Sequence, residues 1–119
     1  MPFQKENKRR FPRILLKTPL RWQIRGVSQI NNAVNGDIGL GGIGFIYDKF
    51  IAANLCINME FHLESRVVNA TGRIANVSFL PYSDKYRLGV EFLEFAQKEK
   101  KLLSDYITKQ TGGEEIVQE

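Results

Sequence analysis

The residues of this chain whose types and spacing could do chemistry lie in two short segments. Arg9, Arg10 and Arg13 fall in Lys8-Arg9-Arg10-Phe11-Pro12-Arg13, and Asp37 enters the glycine-rich bend Asp37-Ile38-Gly39-Leu40-Gly41-Gly42. A guanidinium makes two parallel hydrogen bonds to a phosphate and can also lie flat against a base. A carboxylate can accept the paired N–H groups of a guanine edge. Glycines such as Gly39 and Gly42 let a ligand reach the backbone. Together these groups describe a receptor for a guanine nucleotide with bridging phosphates. The arginines would close over phosphates and base faces, and Asp37 would read a base edge.

The same residues carry a family resemblance. Arg9 to Arg13 fits an RxxxR motif with Arg10 inside it, and Asp37 to Gly42 fits (D/N)xSxxG except that Gly39 stands where the serine would be. Tyr86-Arg87-Leu88-Gly89-Val90-Glu91-Phe92 is similar to a last barrel strand. On these motifs the chain resembles a PilZ domain from about Lys8 to Ile107. The resemblance implies a six-stranded antiparallel β-barrel with a C-terminal α-helix. It also implies binding of the bacterial second messenger cyclic di-GMP, with Arg9, Arg10, Arg13, Asp37, Gly39 and Gly42 as ligand-binding residues. The missing serine hydroxyl would cost about 0.5 to 1.5 kcal/mol, a weakening of up to roughly tenfold. Asn76 is a second departure, because an aromatic there could stack on a base and asparagine cannot.

Composition, read without the family, agrees. The chain has 119 residues, 43% of them hydrophobic, which suits one domain with one modest core. Its start, residues 1–13, is polar and basic with no secretory pattern, and no apolar run approaches the ~18 residues of a membrane span. The single cysteine, Cys56, excludes an internal disulfide framework and suits a reducing compartment. The expectation is a cytoplasmic protein without membrane insertion.

Charge is unevenly distributed. Residues 1–25 hold eight Lys or Arg against one acid, a net +7, whereas the other 94 residues hold nine basic and twelve acidic side chains, a net −3. An anionic partner would therefore meet the N-terminal segment first. Residues 1–13 read as a flexible basic arm, 14–110 as the barrel with its helix, and 111–119 as a disordered tail.

The elements that must position these groups follow from hydrophobic period. Ile14, Leu16, Leu20, Trp22 and Ile24 alternate with polar residues as one strand, interrupted at Pro19. Residues 31–38 form a second strand, with Asn35-Gly36 as a competing turn signal. Ile43, Phe45 and Tyr47 mark a third, and Leu55, Ile57, Met59, Phe61 and Leu63 a fourth without a miss. Residues 67–79 read as a long strand bending at Gly72, and Tyr86, Leu88, Val90 and Phe92 as the sixth. Phe95, Leu102, Leu103, Tyr106 and Ile107 then share one helical stripe, which must bury itself by plugging a barrel end.

Rival readings are weaker. Gly39 to Gly44 also spells GxGxxG, but a dinucleotide fold needs a helix next, and Phe45-Ile46-Tyr47 continues as a strand. An enzyme would have to use Cys56 and His62, which six residues of strand hold about 20 Å apart. One Cys and one His also make no metal set, so no catalytic or metal residue is expected. Nucleic-acid binding would need aromatics on an exposed face, whereas Trp22, Phe45, Tyr47, Phe61, Tyr86 and Phe92 fall on the core parity. An adaptor that has lost its ligand and works through protein contacts is the alternative that Gly39 favours and the complete RxxxR opposes.

Neither motif suffices alone. Three arginines contribute roughly 5 to 9 kcal/mol at about 1.5 to 3 each, while ordering an arm costs about 1 to 2 kcal/mol per residue. A micromolar ligand needs about 8 kcal/mol net, so Asp37 and the bend must supply the surplus. Binding would order the arm and change the surface offered to an effector protein.

Overall fold

The computed structural model describes residues 13–16, 18–34, 36–94 and 97–111. Of the arm expected at residues 1–13 only Arg13 is among them, and residues 112–119 of the expected tail lie outside them. The chain runs through β1 (Ile14–Leu16), β2 (Leu20–Ile24), β3 (Asn31–Ala33), β4 (Gly36–Ile38), β5 (Gly42–Tyr47), β6 (Cys56–Leu63), β7 (Arg66–Leu80), β8 (Lys85–Glu94) and helix α1 (Gln97–Thr111). All strands pair antiparallel in the order β1-β4-β5-β8-β7-β6-β2-β3.

Among the described residues the expected six strands are eight, and the difference has a local cause. β1 ends at Leu16 and β2 begins at Leu20, next to Pro19, which offers no N–H to a ladder. Opposite it, β3 ends at Ala33 and β4 begins at Gly36. On one side of the break Ile14 faces Ile38 and Leu16 faces Gly36; on the other, Leu20 faces Ala33 and Trp22 faces Asn31. The same two stretches therefore form one antiparallel ribbon with unequal residue numbers at its bend. Because β1 and β3 are the ends of the sheet and both belong to this ribbon, the sheet curls back on itself as a barrel.

Period-2 alternation fills the interior. Ile57, Met59, Phe61 and Leu63 of β6 are buried with Trp22, Phe45, Ile74 and Leu88, while Leu55 falls just before β6 and is exposed. Leu103 and Ile107 of α1 are fully buried in the same cluster, with Leu102 and Tyr106 packed against it. The helical stripe closes the core, touching β1 and β6. Each fully buried Leu or Ile contributes about 1.5 to 3 kcal/mol before entropy is counted. Phe95 of the expected stripe lies outside the described residues.

Two irregularities interrupt the pairing of β7 with β8. Register shifts between Thr71 and Gly72, as expected for the bend, and again between Ile74 and Asn76. The second shift leaves Asn76 opposite Gly89. Among the described residues, no helix is long and apolar enough to cross a membrane.

Candidate functional site

Asp37 sits in β4 between two buried neighbours, Gly36 and Ile38, so the strand's alternation turns its carboxylate outward. Its register partners are Leu15 in β1 and Gly44 in β5. Arg13, just before β1, donates from Nε and Nη2 to Asp37 Oδ1 at 2.8 and 2.7 Å. Arg87 of β8 donates from Nη2 to Oδ1 at 3.1 Å and to Oδ2 at 2.8 Å. One carboxylate thus gathers two guanidiniums.

Arg87 reaches Asp37 across an intervening strand, and Gly44 makes that possible. A Cβ at Gly44 would lie 2.6 Å from Cζ of Arg87, so the guanidinium occupies the space a side chain would take. Burial opposes ionisation of Asp37, but the hydrogen bonds and positive charges of Arg87 and Arg13 outweigh it and hold the carboxyl below its ordinary value of 3.8. The cluster carries a net positive charge on the outer face of the barrel.

Beside it opens a cleft of about 330 Å³, lined among others by Arg13, Gly42, Asn76, Arg87, Gly89 and Glu91. Its floor is made of glycine backbone. Gly89 faces Gly44 across the β5–β8 ladder, and the Asn76 amide lies over Gly89, its Oδ1 2.8 Å from where a Cβ would stand. Glu91 is held by Arg73, whose Nε donates to Glu91 Oε2 at 3.2 Å and whose Nη2 bonds the same oxygen. Arg73 is fixed in turn by Asn54 Oδ1 at 2.7 Å.

The six expected binding residues take different places. Arg13 and Gly42 line the cleft. Asp37 stands behind it, giving its oxygens to two arginines. Gly39 is buried in the β4–β5 turn, where its N–H donates to the Gly42 carbonyl at 2.9 Å. Arg9 and Arg10 lie outside the described residues. Gly42 has a packing duty as well, because a Cβ there would fall on the Val90 carbonyl oxygen of β8.

Sequence reasoning missed Arg87, Gly44, Gly89 and Glu91 as parts of the site. The signal was present: Arg87, Gly89 and Glu91 occupy the outward parity of β8, opposite Leu88 and Val90, which are buried. The cysteine and histidine take other positions. Cys56 is free and half-buried, His62 is exposed, and no metal-ligating group of three occurs among the described residues.

The chain is a curled antiparallel β-barrel plugged by one helix, with arginines beside a glycine-lined cleft on its outer face. Residues 7–109 match the family described as PilZ domain, and the chain belongs to that family. Among solved structures, the inhibitor of motility MotI/DgrA of Bacillus subtilis superposes with a TM-score of 0.72 at 16% identity, over 89% of this chain and 52% of that one. The PilZ domain of YcgR from Escherichia coli, solved with c-di-GMP, superposes with a TM-score of 0.64 at 15% identity, over 94% of this chain and 98% of that one. Formin-A of Dictyostelium discoideum is 30% identical over 82 residues, 69% of this chain and 7% of that protein. The chain therefore spans about half of the MotI/DgrA chain and a small part of Formin-A.

Proposed function

We propose that this chain is a cytoplasmic receptor for cyclic di-GMP, acting as an adaptor rather than an enzyme. The observation that carries the reading is the Arg13–Asp37–Arg87 cluster beside a cleft floored by glycine backbone. Membership of the PilZ family and the likeness to the ligand-bound YcgR domain support it. Arg13 and Arg87 offer forked donors to phosphate oxygens, and a guanidinium can also lie flat against a planar base. Arg9 and Arg10, four and three residues before Arg13, would complete a clasp over the ligand, with Gly39 and Gly42 shaping the barrel side. Ordering of that arm would signal to an effector protein. Burial of Trp22, Phe45 and Phe61 removes them from any stacking platform for nucleic acid.

Calorimetry of the purified protein with cyclic di-GMP tests this. Binding near the micromolar range is expected, and Arg13→Ala should weaken it by at least tenfold. No heat with ligand at about 100 μM would overturn the receptor reading.

A second reading, an adaptor that acts by protein contacts without ligand, is favoured by Gly39. It can be weighed directly. Among the described residues only Gly26 is a glycine with positive φ, so a serine at Gly39 meets no left-handed backbone strain. Gly39→Ser is expected to tighten cyclic di-GMP binding by a few-fold to about tenfold, the worth of one added hydrogen bond. An unchanged dissociation constant would mean that the hydroxyl does not reach the ligand.

A further inference from the structure

The cleft is bipolar. It is lined both by the guanidiniums of Arg13 and Arg87 and by the carboxylate of Glu91, itself paired with Arg73, and the Asn76 amide stands in the same wall. Along β8, Arg87, Gly89 and Glu91 succeed one another on the outer face, each about 7 Å from the next. Gly89, with the Asn76 amide over it, lies between Arg87 and Glu91.

Glu91 and Asn76 have spare capacity. Both hydrogen bonds from Arg73 fall on Oε2 of Glu91, and Oε1 has no hydrogen bond among the described residues. Arg73 holds the carboxylate in place without exhausting it. The Asn76 amide likewise makes no hydrogen bond to a described residue, although it lines the cleft. Asp37 is differently situated: its two oxygens already accept four N–H contacts from Arg13 and Arg87.

We propose that Glu91, supported by Asn76 and in place of Asp37, selects guanine in this cleft. The proposal rests on the cyclic di-GMP reading and assigns the base-reading part of that same site. Guanine presents two adjacent N–H donors, at N1 and N2, next to the O6 acceptor. A carboxylate accepts the donors, and an amide N–H donates to O6. Adenine presents an acceptor at N1 instead, so its lone pair would face the free Glu91 oxygen and leave that oxygen unpaired, whereas the Asn76 amide, donor and acceptor both, pairs with either base; the discrimination therefore falls to Glu91. Mismatch of this kind discriminates by roughly 10- to 100-fold. An asparagine in place of an aromatic thus trades stacking on the base for hydrogen bonding to its edge.

The test compares cyclic di-GMP with cyclic di-AMP by calorimetry on the wild-type chain, Glu91→Gln and Asn76→Ala. The wild type is expected to prefer cyclic di-GMP by at least tenfold. Glu91→Gln should narrow that preference by about tenfold or more, by weakening the guanine ligand and leaving the adenine ligand level or improved. Asn76→Ala should lower cyclic di-GMP affinity a few-fold at an unchanged melting temperature, since no described protein group loses a partner. If the wild type binds cyclic di-GMP but Glu91→Gln weakens both nucleotides equally or neither, the base-reading role is overturned and the receptor reading stands. If the wild type binds neither nucleotide, the receptor reading fails and this assignment fails with it.

Discussion

Asp37→Ala will weaken cyclic di-GMP binding by about 100-fold, a loss of about 2.7 kcal/mol, while leaving the barrel folded. The carboxylate fixes two long side chains at once, Arg13 through two bonds to Oδ1 and Arg87 through both oxygens. Without it the guanidiniums repel each other, and ligand must order both at about 0.5 to 1.5 kcal/mol each. The cost to the fold is smaller. The Asp37 side chain is 33% exposed, and those of Arg13 and Arg87 28% and 37%, so solvent screens the pairs and the loss is about 1 to 2 kcal/mol. Calorimetry and a urea titration separate the two effects. A variant that binds as the wild type does would remove the cluster from the site.

Acid supplies an independent reading of the same cluster. The folded-state pKa of Asp37 is depressed, so its stabilisation is fully present above the unfolded value and is lost as pH falls through the folded one. Stability should therefore decline below about pH 4 more steeply in the wild type than in Asp37→Asn, whose amide does not titrate. Parallel declines in the two proteins would contradict the assignment of the shift to this cluster.

Gly42→Ala and Gly44→Ala, two residues apart in β5, will have opposite effects. At Gly42 the added methyl meets backbone, the Val90 carbonyl, with the Glu91 Cα at 3.2 Å. Neither moves without displacing β8, so the fold should lose about 3 kcal/mol or more. At Gly44 the three atoms nearest the methyl all belong to the guanidinium of Arg87, the far end of a flexible side chain. That variant should keep its stability to within about 1 kcal/mol, yet bind ligand at least tenfold more weakly, because Arg87 can no longer lie across β5 to Asp37. Equal melting temperatures for the two variants would show that β8 yields more easily than its ladder implies.

Much of the fold is legible in the sequence alone. The alternation in β6 and β8 is long and regular, so pattern separates core from surface. The stripe holding Leu103 and Ile107 likewise requires a helix buried on one side. The split of two strands was legible only as an interruption at Pro19 and a turn signal at Asn35-Gly36, because residues 14–24 keep one parity on both sides of Pro19 and parity alone does not say that the ladder changes partner there. The site was legible in part for a similar reason. Arg13 and Asp37 stand out by motif, whereas Arg87 looks like any outward arginine on a strand. Its significance depends on Gly44, 43 positions earlier, having no side chain. Glu91 was hidden in the same way, as an ordinary outward acid whose partner, Arg73, comes from another strand.

Arg13 and Asp37 are 24 residues apart, and Asp37 and Arg87 are 50. A nucleotide held across them would bridge the first strand to the last, so it could stay only while the whole barrel is assembled. Occupancy would then act as a rivet. At ligand concentrations 100 times the dissociation constant it would add about 2.7 kcal/mol to global stability, and slow amide exchange most in β1, a strand of only three residues. For a chain of this kind, the concentration of a messenger in solution would be written into how long its own N-terminal strand survives attack by a protease.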